Sequence, residues 1–382
     1  MTGRPLALAI GGLAALAGAL GVGRFVYTPL LPLMVDDLGL SKATAGFIAS
    51  ANFAGYLAGA LLAATPLVRG PRRVWLLGAL AASALSTGAM AFVASPVAFM
   101  ALRFAGGGAS AFVLVFASAL VLDRLSAAGR PALSAVHFAG VGTGIAASAA
   151  LVSLLAASGH DWRLLWLASG IASLLALVIV AILIPGDVEP ATATTRSAGE
   201  GGRGLSALVA AYGLFGFGYV ITATFLVAIV RDIAALRAIE PVVWLIVGLA
   251  AAPSVAFWTW AARRLGLPRA FAVACVAEAI GVAASIAWGA ISGALLAAIL
   301  LGGTFMGITA LGLVLARRLA SGEPRRILAL MTAAFGLGQI IGPAFAGLAY
   351  DATASFLLPS LVAVAALLIG AVLVARLPAS DA

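Results

Sequence analysis

PGDVEPATATTRSAGEGGR (Pro185–Arg203) is the longest polar stretch in a chain of 382 residues that is otherwise almost continuously apolar. Rich in Gly, Thr, Ala and Glu, it reads as a flexible linker. Apolar segments at about 163–184 and 206–230 flank it directly. Outward on one side lie further segments at about 133–157, 97–121, 74–94, 43–65 and 6–34. On the other they lie at about 241–262, 270–291, 293–316, 327–349 and 355–375. Each approaches the roughly 20 residues a helix needs to cross the hydrocarbon. Ser95-Pro96, Arg130-Pro131, Pro185-Gly186, Pro268, Pro324 and Pro359 punctuate the ends. The linker divides twelve spans six and six. The expected fold is an all-α polytopic membrane protein of two six-helix bundles, residues 1–184 and 205–382, joined by a cytoplasmic linker at 185–204.

Composition agrees. Mean hydropathy is +1.18, and charged residues make up 9%, against about 25% in a soluble domain. Such a chain cannot cover itself in water. Arg4 precedes an apolar stretch from Leu6 to Met34, far longer than a signal h-region of about 7–15 residues, so it reads as the first span rather than a cleaved leader.

Several function classes drop out. Cys275 is the only cysteine, and His137 and His160 lack metal-ligand spacing, so neither a disulfide nor a metal set is expected. There is no GxxxxGK[ST] stretch for ATP and no nucleophile motif, so neither a cofactor nor an enzyme is expected. The net charge of +9 fits arginines facing anionic lipid rather than nucleic acid. Lys42 is the only lysine among the 22 basic residues, an arginine bias typical of GC-rich bacterial genomes.

With the N-terminus in the cytoplasm, cytoplasmic segments hold Arg4, Arg69, Arg72, Arg73, Arg124, Arg130, Arg196, Arg203, Arg263, Arg264, Arg269, Arg317, Arg318, Arg325, Arg326 and Arg376. The other side holds Lys42, Arg163, Arg231 and Arg237. Basic residues favour cytoplasmic loops, so both termini are expected inside a bacterial inner membrane. The halves also echo one another. RGPRR (Arg69–Arg73) is answered by RRLGLPR (Arg263–Arg269), GVGTG (Gly140–Gly144) by GLGQIIGPAFAG (Gly336–Gly347), and GGG (Gly106–Gly108) by GGTFMG (Gly302–Gly307). Features repeated six spans apart are the trace of an internal duplication.

These features together resemble the major facilitator superfamily over essentially the whole chain. GVGRFVYTPLLPLM (Gly21–Met34), ASANFAGYLAGALLA (Ala49–Ala63), RFAGGGASAFVLVFASALVLDRL (Arg103–Leu125), HFAGVGTGI (His137–Ile145) and YGLFGFGYVITATF (Tyr212–Phe225) are similar to its YbfB/YjiJ-like branch. The resemblance implies a transporter and supplies no substrate. The superfamily's loop 2–3 motif has an acidic residue before its basic cluster. Here Thr65-Pro66-Leu67-Val68 has none, so the associated lock must be built differently, with Asp123-Arg124 the nearby acid-base pair.

A charge at bilayer depth costs about 2.5–3.5 kcal/mol on insertion scales, so charges within spans face a protein interior or a wet cavity. Arg24, Arg103 and Glu278 are the three. Arg24 has Tyr27 and Thr28 at i+3 and i+4, with Gly21, Gly23, Pro29 and Pro32 around it. That pattern reads as a broken or kinked helix presenting a guanidinium and a phenol to a central cavity. The arginine is then either a bidentate anchor for carboxylate or phosphate or a snorkelling side chain. Arg103 is a second substrate contact, or else a structural or proton-relay residue. Neither cation has an acidic partner nearby in sequence, and a bound anion would relieve them. Asn52 and Tyr56 share a face of span 2, as substrate contacts or as interhelical glue. Tyr219 in span 7 and Gln339 in span 11 are further binding candidates, beside Tyr212, Thr222 and Thr224.

Glu278 is the carboxylate a proton-coupled carrier would need, although span 9 is peripheral in the family by analogy. Arg72, Arg73, Asp123, Arg124 and His137 group as a cytoplasmic gate. The tryptophans fall toward span ends, where interface anchoring explains them. The reading is a monomeric secondary transporter of a small organic anion, possible coupling to protons included. Alternatives are a proton-coupled exporter of amphipathic compounds and a membrane protein that does not transport, the latter disfavoured by short loops and tails.

Overall fold

The computed structural model describes residues 3–186, 204–287, 289–319 and 324–377. Residues 187–203 of the expected linker, Trp288 and the side chains of Arg4, Arg325 and Arg326 lie outside the described residues. Twelve helical segments are long and apolar enough to span a membrane. In chain order the helices are α1 (Gly3–Leu16), α2 (Tyr27–Leu38), α3 (Lys42–Ala63), α4 (Arg72–Ala89), α5 (Pro96–Ala127), α6 (Ser134–Ala157) and α7 (Trp162–Leu183). They continue as α8 (Leu205–Asp232), α9 (Glu240–Ala251), α10 (Ser254–Leu265), α11 (Leu267–Ala287), α12 (Ile291–Leu319), α13 (Pro324–Thr353) and α14 (Leu357–Ala375).

Local chemistry sets several starts and stops. Ser41, Ser95 and Asp161 cap α3, α5 and α7, their side chains each accepting a backbone N–H three residues on at 3.1 Å. Such a cap satisfies a donor that the first helical turn leaves free. Gly39 ends α2 in the left-handed conformation, at φ 62°, where a side chain would be strained. The eighth span is not the continuous helix that its apolar run suggests. It enters through a short tight turn at Ala234–Ile239 and breaks between α9 and α10 at Ala252-Pro253, where proline supplies no N–H.

Leucine, isoleucine, valine and phenylalanine side chains such as Leu175, Ile182, Phe92 and Leu154 lie exposed around the outside, as a lipid-facing surface requires. Alanine and glycine line the contacts inside. Without a hydrophobic drive between helices in lipid, association depends on close approach through small residues. Two antiparallel junctions join the first six spans to the last six, α3 along α13 and α6 along α9, with α2 against α8 between them. At both junctions backbone meets backbone. A Cβ on Gly46 would overlap the Pro343 carbonyl, and one on Gly347 the Lys42 carbonyl. Gly142 abuts Ala252 and Gly248 abuts Ala146 in the same way. Hydroxyls stitch the halves across these contacts: Thr28 donates to the Ala223 carbonyl at 2.7 Å, Ser50 to Ile340 at 2.6 Å and Ser153 to Pro241 at 2.6 Å.

The tryptophans correct an expectation. Trp162, Trp166, Trp244 and Trp258 are buried in the protein rather than anchored at the interface. Three donate their indole N–H internally, Trp162 to Asp37 at 2.7 Å, Trp166 to the Met34 sulfur at 3.3 Å and Trp258 to the Gly303 carbonyl at 2.7 Å.

Gly248→Val is expected to lower the thermal unfolding midpoint in detergent, because overpacking of this kind costs about 1–3 kcal/mol. Gly78→Val, where a Cβ meets nothing within 4 Å, should leave the midpoint unchanged.

Candidate functional site

The first span is interrupted as the sequence suggested, but ahead of its prolines rather than at them. After α1 the backbone widens into a π-helical turn at Ala17–Val22 and passes through turns at 23–26 before α2 begins. Pro29 and Pro32 do not end the segment. Both lie within α2, which runs on to Leu38. The widened turn leaves the carbonyls of Gly23 and Arg24 without helical partners, and the guanidinium of Arg103 on α5 donates to both, at 2.9 and 2.8 Å. Asn52 on α3 donates to the Arg103 carbonyl at 2.8 Å. Tyr27 lays its ring 5.1 Å from the Arg103 guanidinium and gives its hydroxyl to the Ala45 carbonyl at 2.9 Å. Arg103, Asn52 and Tyr27 are therefore engaged in holding the break open.

Arg24 stands differently. Its side chain is 5% exposed, and its Nε and Nη2 have no hydrogen-bond partner among the described residues. The guanidinium lies over the rings of Tyr56 at 4.4 Å and Phe53 at 4.5 Å, with Phe25 at 5.4 Å. Desolvated cation–π contacts are worth about 2 kcal/mol or more, which offsets part of the cost of an unpaired buried cation. A narrow crevice, about 10 Å³ in volume, is lined by Arg24, Phe25, Tyr27, Thr28, Phe53 and Arg103, with Ala223 and Thr224 from α8.

The last six spans face this cation with aromatic surface. Tyr219 on α8 stacks nearly parallel to Phe305 of α12 and Phe335 of α13, at 5.7 and 5.8 Å and interplanar angles of 7° and 3°. Gln339 donates to the Tyr219 hydroxyl and keeps its own Oε1 unpaired. Arg24 and Tyr56 are within electrostatic reach of Tyr219. The structure thus brings Arg24, Tyr56, Tyr219 and Gln339 to one place. A second gap, too tight to hold a water molecule in this closed arrangement, adjoins the first through Phe25 and Ala223, its far wall made by Trp244, Tyr219 and Phe305. Phe25, Phe53, Trp244, Phe305 and Phe335 carry no polar signal, and in an apolar span their sequence pattern cannot be told from packing.

Glu278 on α11 is fully buried rather than turned to lipid. Neither carboxyl oxygen has a hydrogen-bond partner among the described residues. The neighbouring Thr304 hydroxyl donates to the Leu300 carbonyl at 2.6 Å instead. Tyr219 is within electrostatic reach of Glu278 as well as of Arg24. Among the described residues no group of three or more His, Cys, Asp or Glu could hold a metal ion.

A sequence profile for the family described as "Uncharacterised MFS-type transporter YbfB" matches residues 16–375. The chain belongs to this family of major facilitator transporters. It is 29% identical over 182 residues to a Bacillus subtilis (strain 168) protein named "Uncharacterized MFS-type transporter YceJ". That match spans 46% of this chain and 45% of the relative. Among solved structures the fold is similar to a D-xylose-proton symporter, with TM-score 0.74, 16% identity, and 98% of this chain and 97% of that one covered. It is also similar to the nucleoside transporter NupG, with TM-score 0.68, 17% identity and 97% of each chain covered.

The two ends of this major facilitator chain are tied differently. At the arginine-rich end, Arg72 pairs with Asp123 at 3.3 Å. Arg73 donates to the Ile184 and Ala181 carbonyls at 2.8 and 2.6 Å. Arg124 reaches the Pro185 carbonyl at 3.1 Å and that of Gly186. The basic loop is thus braced by an aspartate from α5 and by carbonyls at the end of α7, all within the first six spans. His137 is fully buried, its Nε2 3.1 Å from the Ser118 hydroxyl and its ring filling the space that Gly12 leaves. It joins spans 1, 4 and 5.

The opposite end holds every ion pair that crosses between the halves among the described residues. Arg231 forks between Asp36 at 2.7 Å and Glu240 at 2.8 Å, and Lys42 lies 3.8 Å from Asp232. Asp351 accepts the backbone N–H groups of Lys42 and Ala43 at 3.0 and 3.1 Å, so a carboxylate of α13 caps α3. Partly exposed pairs are worth about 0.2–1 kcal/mol each, enough together to bias a two-state equilibrium. Arg231→Gln is expected to open this end. In a Cys275→Ala background, a probe thiol placed by Thr224→Cys should then react several-fold faster with a membrane-impermeant maleimide added from that side. An unchanged rate would mean the pairs do not hold the end shut.

Proposed function

We propose that the chain is a secondary transporter of a small organic anion in a bacterial inner membrane. It works by alternating access, residues 1–184 rocking against 205–382 about a midplane site, with 185–204 as the linker and both termini cytoplasmic. The finer placement on the YbfB/YjiJ-like branch rests on the family profile and the local sequence stretches.

One observation carries the substrate charge. Arg24 is a buried cation with free donors, aimed into a crevice between the halves and unpaired with any carboxylate among the described residues. Its fork suits a carboxylate or phosphate in bidentate geometry. Arg103 cannot serve equally, since two of its donors are already committed to the broken backbone. Tyr56, Tyr219 and Gln339 supply hydroxyl and amide contacts around the same point, and the free Oδ1 of Asn52 is a further acceptor.

Arg24→Gln is expected to weaken stabilisation of the purified protein by carboxylates about thirtyfold or more, the consequence of losing one partner of a buried charged contact. Undiminished stabilisation by every accepted anion would return Arg24 to a packing role.

Glu278 supports coupling to protons. It is the one carboxyl fully buried at depth among the described residues, and it lies within electrostatic reach of Tyr219. Glu278→Gln is expected to abolish accumulation driven by a pH gradient in proteoliposomes while sparing substrate exchange at equal pH. Loss of both activities together would assign Glu278 to folding. The exporter of amphipathic compounds keeps support from the aromatic walls, and would show as stabilisation by cations or neutral amphiphiles that ignores Arg24→Gln.

A further inference from the structure

Beside the anion site lies a closed aromatic seam, filled from the first six spans by Phe25. We propose that the substrate is an aryl carboxylate, whose carboxylate sits on Arg24 and whose ring sits against Tyr219, Phe305 and Trp244; the inference rests on the anion reading above.

Phe25 carries the argument. It follows Arg24 directly, in the turns after the π-helical segment of the first span. It is the ring of the first six spans that enters the aromatic cluster of the last six. It stands edge-on to Phe305, with centroids 5.9 Å apart at 69°, and tilts against Trp244 at 6.4 Å. It also divides the two crevices, lining both. When the halves part, Phe25 leaves with the first six spans and the faces of Phe305 and Trp244 lose their covering. A ring delivered by substrate restores the same edge-to-face contact, adjacent to the guanidinium. Phe25 is therefore a placeholder for the group that binds there.

The polar atoms agree. Trp244 keeps its indole N–H unpaired although it is 2% exposed. Buried indoles ordinarily find an acceptor, and the other three buried tryptophans here do. A ring substituent that accepts a hydrogen bond would satisfy it. The parallel packing of Tyr219 between Phe305 and Phe335 holds the wall flat, so a planar ring fits it better than a puckered one.

The test compares benzoate, cyclohexanecarboxylate and benzyl alcohol as stabilisers of wild-type, Arg24→Gln and Phe305→Leu protein. Benzoate is expected to bind wild type more tightly than cyclohexanecarboxylate by about two- to tenfold, the worth of one aromatic pair. Phe305→Leu should erase that preference while both carboxylates continue to bind. The wild-type preference needs no variant, so it decides the matter even if Phe305→Leu does not fold. Equal binding of benzoate and cyclohexanecarboxylate, both lost in Arg24→Gln, would overturn the aromatic half of the proposal and leave the anion site standing. Benzyl alcohol binding as well as benzoate, with no effect of Arg24→Gln, would overturn both. So would failure of both carboxylates to bind.

Discussion

A backbone carbonyl without a partner costs several kcal/mol in hydrocarbon, and the broken first span leaves two, at Gly23 and Arg24. The fork of Arg103 takes both. Everything at the centre follows from that. With those carbonyls satisfied from α5, the span can keep the widened π-helical turn and the turns that follow it, the stretch that carries Arg24 and Phe25. Asn52 then secures Arg103 from α3, so the break is braced by two neighbouring helices rather than by its own sequence. The one charge that is spent on structure makes the other available for chemistry.

Much of this was legible in the sequence. Apolar length and the polar interruption at Pro185–Arg203 were enough for twelve spans, since a helix must cross a fixed thickness. Arg24 was legible because lipid makes any charge conspicuous. The break in span 1 was legible from glycines and prolines in kind but not in place. It formed at the π-turn and Gly23–Val26, while Pro29 and Pro32 sat inside α2. Proline is tolerated near a helix start, and spans in a protein interior can re-satisfy what it removes.

The rest was hidden for identifiable reasons. Arg24 and Arg103 look equivalent as buried cations, and only the direction of each guanidinium separates an anchor from a brace. Tyr27 follows Arg24 at helical spacing, yet the turn between them breaks that relation, and its hydroxyl goes to Ala45. Tryptophans near span ends read as interface anchors because sequence depth says nothing about which side of a helix faces lipid; four of them face protein. The aromatic wall opposite Arg24 was invisible because Phe305, Phe335 and Trp244 look the same whether they pack a core or line a site.

The junctions between the halves have a mechanical consequence. At Gly46 against Pro343 and at Gly248 against Ala146 the contact is backbone on backbone, and Leu57 keys into the notch at Gly336 further along. Interdigitated side chains act like gear teeth, because sliding them demands rotamer changes in step. Two nearly smooth rods can instead roll on one another with little friction. The molecule therefore adds a clasp at the charged end, through Arg231 and Asp351, to a seam otherwise tied by single hydroxyls and the Leu57 key.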